Sequence, residues 1–176
     1  LLAGTVVLES AMALGRFQRR KQVFDQAMKR SVKTERPLVV VGDPNAGLHT
    51  RLVAAYGCGD VCVDLTGCPA CPVAKSADIT SGIKGLEDDS SVVFCCCVLE
   101  YVSDVAAAMQ ELKRIAGADD NLFLVFVDRL SLTGYLYPGG QRVALDERGA
   151  SWRQVSWRQR AVVGGLLLGT LFAAVK

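Results

Sequence analysis

The sequence lacks the features that most directly indicate a function. Its formal net charge is only +2, from 20 basic and 18 acidic residues, which is too balanced to indicate nucleic acid, and no nucleic-acid partner is expected. It contains a single histidine and shows no internal repeat or low-complexity segment. The G-x-G-x-x-G spacing of dinucleotide-binding turns is also absent. The length of 176 residues suits one domain of ordinary size.

Cysteine is plentiful, but its spacing is not that of a standard metal site. Cys68 and Cys71 form a C-x-x-C pair, and no second such pair follows. Cys58 and Cys62 lie nearby. Cys58 precedes an apolar run over 60–64, and Cys62 lies within it. We therefore expect no metal and interpret these cysteines as packing residues, with structural zinc and a redox pair as alternatives. The run 95–97 lies in an apolar stretch, which favours small core residues of a reduced compartment.

The central stretch of the chain has the pattern strand, glycine turn, helix, strand. Residues 38–41 are an apolar run of strand length, and the turn that follows contains Gly42 and Gly47. Apolar residues at helical spacing predict a helix over 48–56, and 60–64 is a second apolar run that ends in a carboxylate. The turn would let a ligand approach the backbone, and the acid could accept hydrogen bonds from ribose hydroxyls. This unit therefore indicates a nucleoside site.

The alternation of strands and helices continues along the chain. Apolar runs predict strands over 91–98 and 121–127, and apolar spacing predicts a helix over 103–115 between them. Ser103 is a candidate N-cap, and Gly117 lies where a helix C-cap is expected. Uniformly apolar strands that alternate with helices are typical of a parallel sheet covered on both faces, so the predicted fold class is α/β.

Both ends of the chain are apolar with basic flanks. Residues 161–175 are uncharged and follow two tryptophans and several arginines, which predicts a C-terminal membrane anchor over 151–176, with a buried core helix as the alternative. Residues 1–15 predict a membrane helix or its end, with an amphipathic anchor or a targeting remnant as alternatives. Residues 16–35 predict an amphipathic connecting helix. The positive-inside rule then puts the globular domain on the cytosolic, matrix or stromal side of an organelle or virion membrane.

The pattern after Asp128 is looser than in the central stretch. Two short segments, 142–145 and 150–155, flank a polar, turn-forming stretch and predict a β-hairpin. The alternative is that the second segment already begins the membrane helix.

The order of the central elements resembles the class I, Rossmann-like S-adenosylmethionine-dependent methyltransferase family over about 36–128. The best match is 92–115, VVFCCCVLEYVSDVAAAMQELKRI, which is similar to the family's fourth strand, the Leu-Glu-Tyr-Val turn and the following helix. Residues 61–64 resemble the second strand with its ribose-binding acid. The resemblance implies a Rossmann-like sheet of order 3-2-1-4-5, with helices on both faces, in a domain of residues 36–150.

The resemblance also implies where the cofactor S-adenosylmethionine would bind. Asp64 matches the ribose-binding acid, and Asp78 lies where the family often has an acid near the adenine. Glu100 is interpreted more readily as an exposed or turn-capping residue than as a catalytic one, and no catalytic residue is identified. The candidate cofactor-binding residues are Gly42, Asp43, Gly47, Asp64, Asp78, Cys97 and Glu100.

The glycine turn departs from the family pattern of an acid, one residue and then Gly-x-Gly-x-Gly. Val40 stands where the acid belongs, and Pro44 and Ala46 replace the second and third glycines. No acceptor-site motif such as Asn-Pro-Pro-Tyr is present. These departures favour a degenerate domain that serves as a structural or interaction subunit beside other proteins of a membrane complex. The alternative is an active methyltransferase that acts on a substrate at the membrane surface.

Overall fold

The computed structural model describes the chain at residues 2–45, 55–126, 141–146, 149–154, 161–162 and 165. It contains two compact units, one of Leu1–Arg16 with Val127–Lys176 and the other of Phe17–Phe126. Gly47 and most of the helix predicted over 48–56 lie outside the described residues.

A five-stranded parallel sheet forms the centre of the unit Phe17–Phe126. Its strands are β1 (Leu38–Val41), β2 (Val61–Asp64), β3 (Ala74–Ser76), β4 (Val92–Cys96) and β5 (Leu122–Val125). They lie in the order β3-β2-β1-β4-β5, and each neighbouring pair is parallel. The predicted α/β class and the strand order 3-2-1-4-5 are therefore confirmed.

The central strand β1 is buried along its whole length. In its register, Val40 lies opposite Cys62 of β2 on one side and Phe94 of β4 on the other. Both faces of the sheet are covered at this point, which is why the strands are continuous apolar runs and do not alternate with polar residues.

Helix α1 (Leu2–Thr34) is one continuous helix over the segments predicted separately as 1–15 and 16–35. In the unit that holds the sheet, Phe24 packs edge-on to Phe94, with ring centroids 5.2 Å apart, and against Tyr56 at 6.1 Å. The helix ends shortly before Pro37, whose ring disfavours helical backbone in the residue before it.

Helix α2 (Val105–Ala116) connects β4 to β5 through a short 3₁₀ helix, Asp119–Asn121. Its buried face includes Leu112 and Ile115. The N-cap is Asp104, which accepts a hydrogen bond from the Ala107 N–H at 3.0 Å, so the prediction of Ser103 as the cap is wrong by one residue. Gly117 ends the helix with a left-handed φ of 69°, as predicted.

In the unit Leu1–Arg16 with Val127–Lys176, β6 (Gln141–Asp146) pairs with β7 (Gly149–Gln154) in an antiparallel hairpin. The predicted hairpin is confirmed, and residues 151–154 belong to a strand and not to the anchor predicted from 151. Among the described residues, no helix has the length and apolar character needed to cross a bilayer. Apart from 161, 162 and 165, the rest of the predicted anchor lies outside the described residues.

Candidate functional site

The carboxyl ends of β1, β2 and β4 bring several of the predicted site residues to one edge of the sheet. Gly42 follows β1 with a φ of 104° and donates its N–H to the Val63 carbonyl at 2.8 Å. A Cβ on Gly42 would lie 2.9 Å from Val98 Cγ2 and 3.1 Å from the Cys96 carbonyl oxygen. Only glycine fits here, because both the backbone conformation and the space exclude a side chain.

Asp64, at the end of β2, joins the glycine turn to the next loop. Its Oδ2 accepts the N–H of Asp43 at 3.1 Å, and its Oδ1 accepts both the N–H and the hydroxyl of Thr66, each at 3.0 Å. The Asp43 carboxylate is used locally as well, since its Oδ1 accepts the Asn45 N–H at 2.9 Å. The structure thus brings the candidate residues Asp43 and Asp64 together, with each carboxylate engaged inside the chain.

Asp78 follows β3 and lies at the exposed rim of a pocket of about 520 Å³. Its Oδ1 accepts the hydroxyl of Thr80 at 2.7 Å and the N–H of Thr80 at 2.9 Å. These two hydrogen bonds hold the pKa of the Asp78 carboxyl below its ordinary value. Two lysines line the same pocket as Asp78. The lining residues are Lys75, Ser76, Ala77, Asp78, Ser81, Gly82, Ile83 and Lys84.

Cys97 lies just beyond β4 and contacts a basic side chain of α1. Its backbone is left-handed, with a φ of 55°, and its sulfur lies 3.3 Å from Arg20 Nη2. The Cys96 thiol lies 3.8 Å away and donates to Cys97. This hydrogen bond, together with the Arg20 charge, holds the pKa of Cys97 below its ordinary value against the opposing effect of burial.

Glu100 is buried, with 3% of its surface exposed, so the interpretation of this residue as exposed is wrong. Its negative charge adds to burial in raising the pKa of the Cys95 thiol above the ordinary value. Cys95 is itself buried, as the prediction of core cysteines in this run requires. Glu100 therefore belongs to the interior of the turn after β4.

The four remaining cysteines are linked in pairs, a feature that sequence reasoning missed. Disulfides join Cys58 to Cys71 and Cys62 to Cys68, with Cα separations of 5.5 and 6.2 Å. The C-x-x-C pair is therefore not bonded to itself. Spacing alone could not give this pairing, because four cysteines allow three connectivities.

Arg20 is a further residue that sequence reasoning missed at this edge. It lies three residues after Phe17 and four before Phe24, both of which pack on the sheet. A basic residue at that spacing falls on the apolar face of the helix, which is the signal that could have revealed it.

Fold and edge together define a class: an α/β protein with a doubly wound parallel sheet, whose candidate ligand edge lies where the strand order reverses beside β1. Comparisons of the chain with protein-family models, with curated proteins and with solved structures find no match.

Proposed function

We propose that the chain is a methyltransferase-like domain that serves as a structural subunit of a membrane complex, with its sheet edge used to stabilise the fold. The hydrogen bonding of Asp64 is the main observation that supports this proposal. Both of its carboxylate oxygens already accept hydrogen bonds from Asp43 and Thr66. A ribose would have to compete with these bonds for the acceptor sites on Asp64.

Val40 gives independent support. It stands at the position of the family's acid and is fully buried in β1, so this position supplies no carboxylate to hold a cofactor. Burial also leaves no room for a charged replacement without a large desolvation cost. The described residues of the edge therefore fit S-adenosylmethionine poorly.

One observation favours the alternative of an active methyltransferase: the candidate edge lies where the strand order reverses beside β1, which is where doubly wound sheets bind their ligands. Gly42 does not add to it, because Val98 and the Cys96 carbonyl of the chain itself fill the space that its missing side chain leaves. Methyl transfer from a sulfonium depends mainly on alignment, so the lack of an identified base does not argue against it.

Binding of S-adenosylmethionine and S-adenosylhomocysteine to the full chain, measured by calorimetry, separates the two functions. The proposal predicts no heat of binding at millimolar ligand. Micromolar binding that is lost in Asp64→Ala and kept in Asp119→Ala would overturn it and establish the alternative. Asp119 is a suitable control because its side chain is 85% exposed and lies beyond α2.

The membrane part of the proposal is supported by the sequence, in which 161–175 is uncharged and apolar. We expect the full chain to stay with membranes after alkaline carbonate washing. Leu167→Arg should release it, because an arginine at the centre of a spanning helix costs roughly 3 kcal/mol of insertion free energy. The control Leu65→Arg changes a residue that is already 68% exposed and should leave retention unchanged. Release of the unaltered chain would contradict a membrane anchor.

The subunit role makes a separate expectation about size. After solubilisation of native membranes in mild detergent, sedimentation should give a protein mass at least twice that of one copy of the chain, as measured on the denatured protein. A species of one chain only would contradict membership of a complex.

A further inference from the structure

Four sulfur atoms are gathered at one side of the sheet. The Sγ atoms of Cys62, Cys68 and Cys71 all lie within 4.8 Å of one another, and Cys58 is bonded to Cys71. A zinc ion bound by four thiolates has Zn–S distances of about 2.3 Å, which puts the sulfur atoms roughly 3.8 Å apart. Once the two disulfides are opened, small side-chain movements would bring the three close sulfur atoms and that of Cys58 to this separation.

The spacing along the chain also fits zinc when the four cysteines are taken as two pairs. Cys58 and Cys62 are separated by three residues, and Cys68 and Cys71 by two. Both separations fall within the C-x₂₋₄-C range of structural zinc ligands. The absence of a second C-x-x-C pair therefore does not argue against zinc, because Cys58 and Cys62 form a C-x-x-x-C pair.

Three of the four cysteines are buried, Cys58 is half-buried, and the cluster lies at the connection between β2 and β3. Cys62 belongs to β2, while Cys68 and Cys71 belong to the connection from β2 to β3 and are also buried. Residues 65–73, which form that connection, contain no helix. A closed, buried set of ligands is typical of a structural zinc site.

The other cysteines of the same unit bear on the redox state. Cys95, Cys96 and Cys97 are free thiols, and Cys97 faces the Arg20 guanidinium. Free thiols are preserved in reducing compartments, where disulfides are opened by cellular dithiols. The four clustered cysteines would then be thiols as well. Three buried thiols and the half-buried thiol of Cys58 beside them are a ligand set for a soft cation.

We propose that, in the reduced chain, Cys58, Cys62, Cys68 and Cys71 bind one Zn²⁺ through four thiolates. Two dithiol molecules open the two disulfides, each giving two electrons and two protons and becoming a disulfide itself. Zn²⁺ then displaces the four thiol protons as the four Zn–S bonds form. The connection between β2 and β3 is thus cross-linked in either redox state, by two disulfides or by one zinc ion.

The test is the metal content of the full chain purified without oxygen and in the presence of a dithiol, measured by elemental mass spectrometry. One zinc per chain is expected, against none in the oxidised chain. The oxidised chain should expose three alkylatable cysteines on denaturation and the reduced, zinc-free chain all seven. Co²⁺ in place of Zn²⁺ should give the visible absorption of a tetrahedral thiolate site.

Two variants identify the ligands. Cys68→Ser should lose zinc, whereas Cys95→Ser, which removes a buried free thiol of β4, should keep one zinc per chain. A reduced, folded chain that takes up no zinc would overturn the proposal. Equal loss of zinc in both variants would also overturn it, and so would an iron–sulfur cluster in place of zinc. If Cys68→Ser does not fold, the Co²⁺ spectrum of the unaltered chain gives the number of thiolate ligands instead. A spectrum that indicates fewer than four thiolates would also overturn the proposal.

Discussion

The strands on either side of β1, β4 with β5 and β2 with β3, are stabilised by different means. On one side, α2 connects β4 to β5 and buries Leu112 and Ile115. On the other side, residues 65–73 connect β2 to β3 without a helix, and two disulfides cross this region. Parallel neighbours are usually connected by a longer crossover that contains a helix. Where the crossover is short, sulfur cross-links here take the place of helix packing.

This difference indicates that the two sides should respond differently to the same treatment. The β4–β5 side depends on apolar burial, which a change of redox state does not alter. The β2–β3 side depends on cross-links that act by restricting the unfolded chain and that reduction removes. Perturbations confined to one side can therefore test whether the distinction is real.

The largest effect is expected from Leu112→Ala in α2. Leu112 is fully buried, so truncation removes apolar contacts and leaves a cavity, at a cost of about 2–5 kcal/mol in the free energy of unfolding. Urea denaturation measures this loss, which should be the same with and without a dithiol. The control Gln110→Ala changes an exposed residue of the same helix and should stay within about 0.5 kcal/mol of the unaltered chain. A loss below about 1 kcal/mol would contradict the importance of burial on this side.

The next effect is expected on reduction in the absence of zinc. Opening both disulfides frees the connection between β2 and β3 and should cost about 2–4 kcal/mol. Hydrogen exchange should then speed up at the Cys62 amide, which donates to the Val73 carbonyl at 2.9 Å, and change little at the Leu124 amide in β5. Zinc should restore the protection of β2. Equal loss of protection in β2 and β5 would mean that the sheet opens as a single unit.

A charge network on the α2 side should have a smaller effect. Glu111 accepts the Ile83 N–H at 2.7 Å and two hydrogen bonds from Arg114, each at 2.7 Å. Glu111→Gln keeps the shape but weakens these charge-assisted bonds, so a loss of about 1–3 kcal/mol is expected at neutral pH. Denaturation midpoints compared with those of Glu87→Gln, which changes an exposed carboxylate in the same unit, measure the effect.

The same pair gives a pH dependence. Hydrogen bonds from Arg114 hold the pKa of Glu111 below its ordinary value near 4.5. Because the folded-state pKa is the lower one, the stabilisation is complete above about pH 4.5 and is lost as the pH falls through the folded-state pKa. Glu111→Gln should therefore flatten the acid side of the stability curve. An acid side as steep as that of the unaltered chain would show that Glu111 does not contribute.

The sequence predicted the sheet better than it predicted the site. Strands covered on both faces are continuous apolar runs, and for that reason β1 and β4 could be located from residue type alone. The contact of Arg20 with Cys97 joins residues far apart in the chain, and pairing among four cysteines has no sequence signature. The engagement of Asp64 by Thr66 was also hidden, because an acid at a strand end can serve a ligand or its own loop equally well.

The smallest effect is expected at the N-cap of α2, which the sequence predicted one residue too early. Ser103 and Asp104 are both good capping types, so their order in the chain does not decide between them. Asp104 makes the bond, to the Ala107 N–H. Asp104→Ala should cost about 0.5–2 kcal/mol in urea denaturation, while Asp104→Asn keeps an acceptor and should cost only a few tenths. Ser103→Ala is the matched control and should leave the free energy of unfolding unchanged. A loss larger than that of Asp104→Ala would mean that Ser103 is the N-cap.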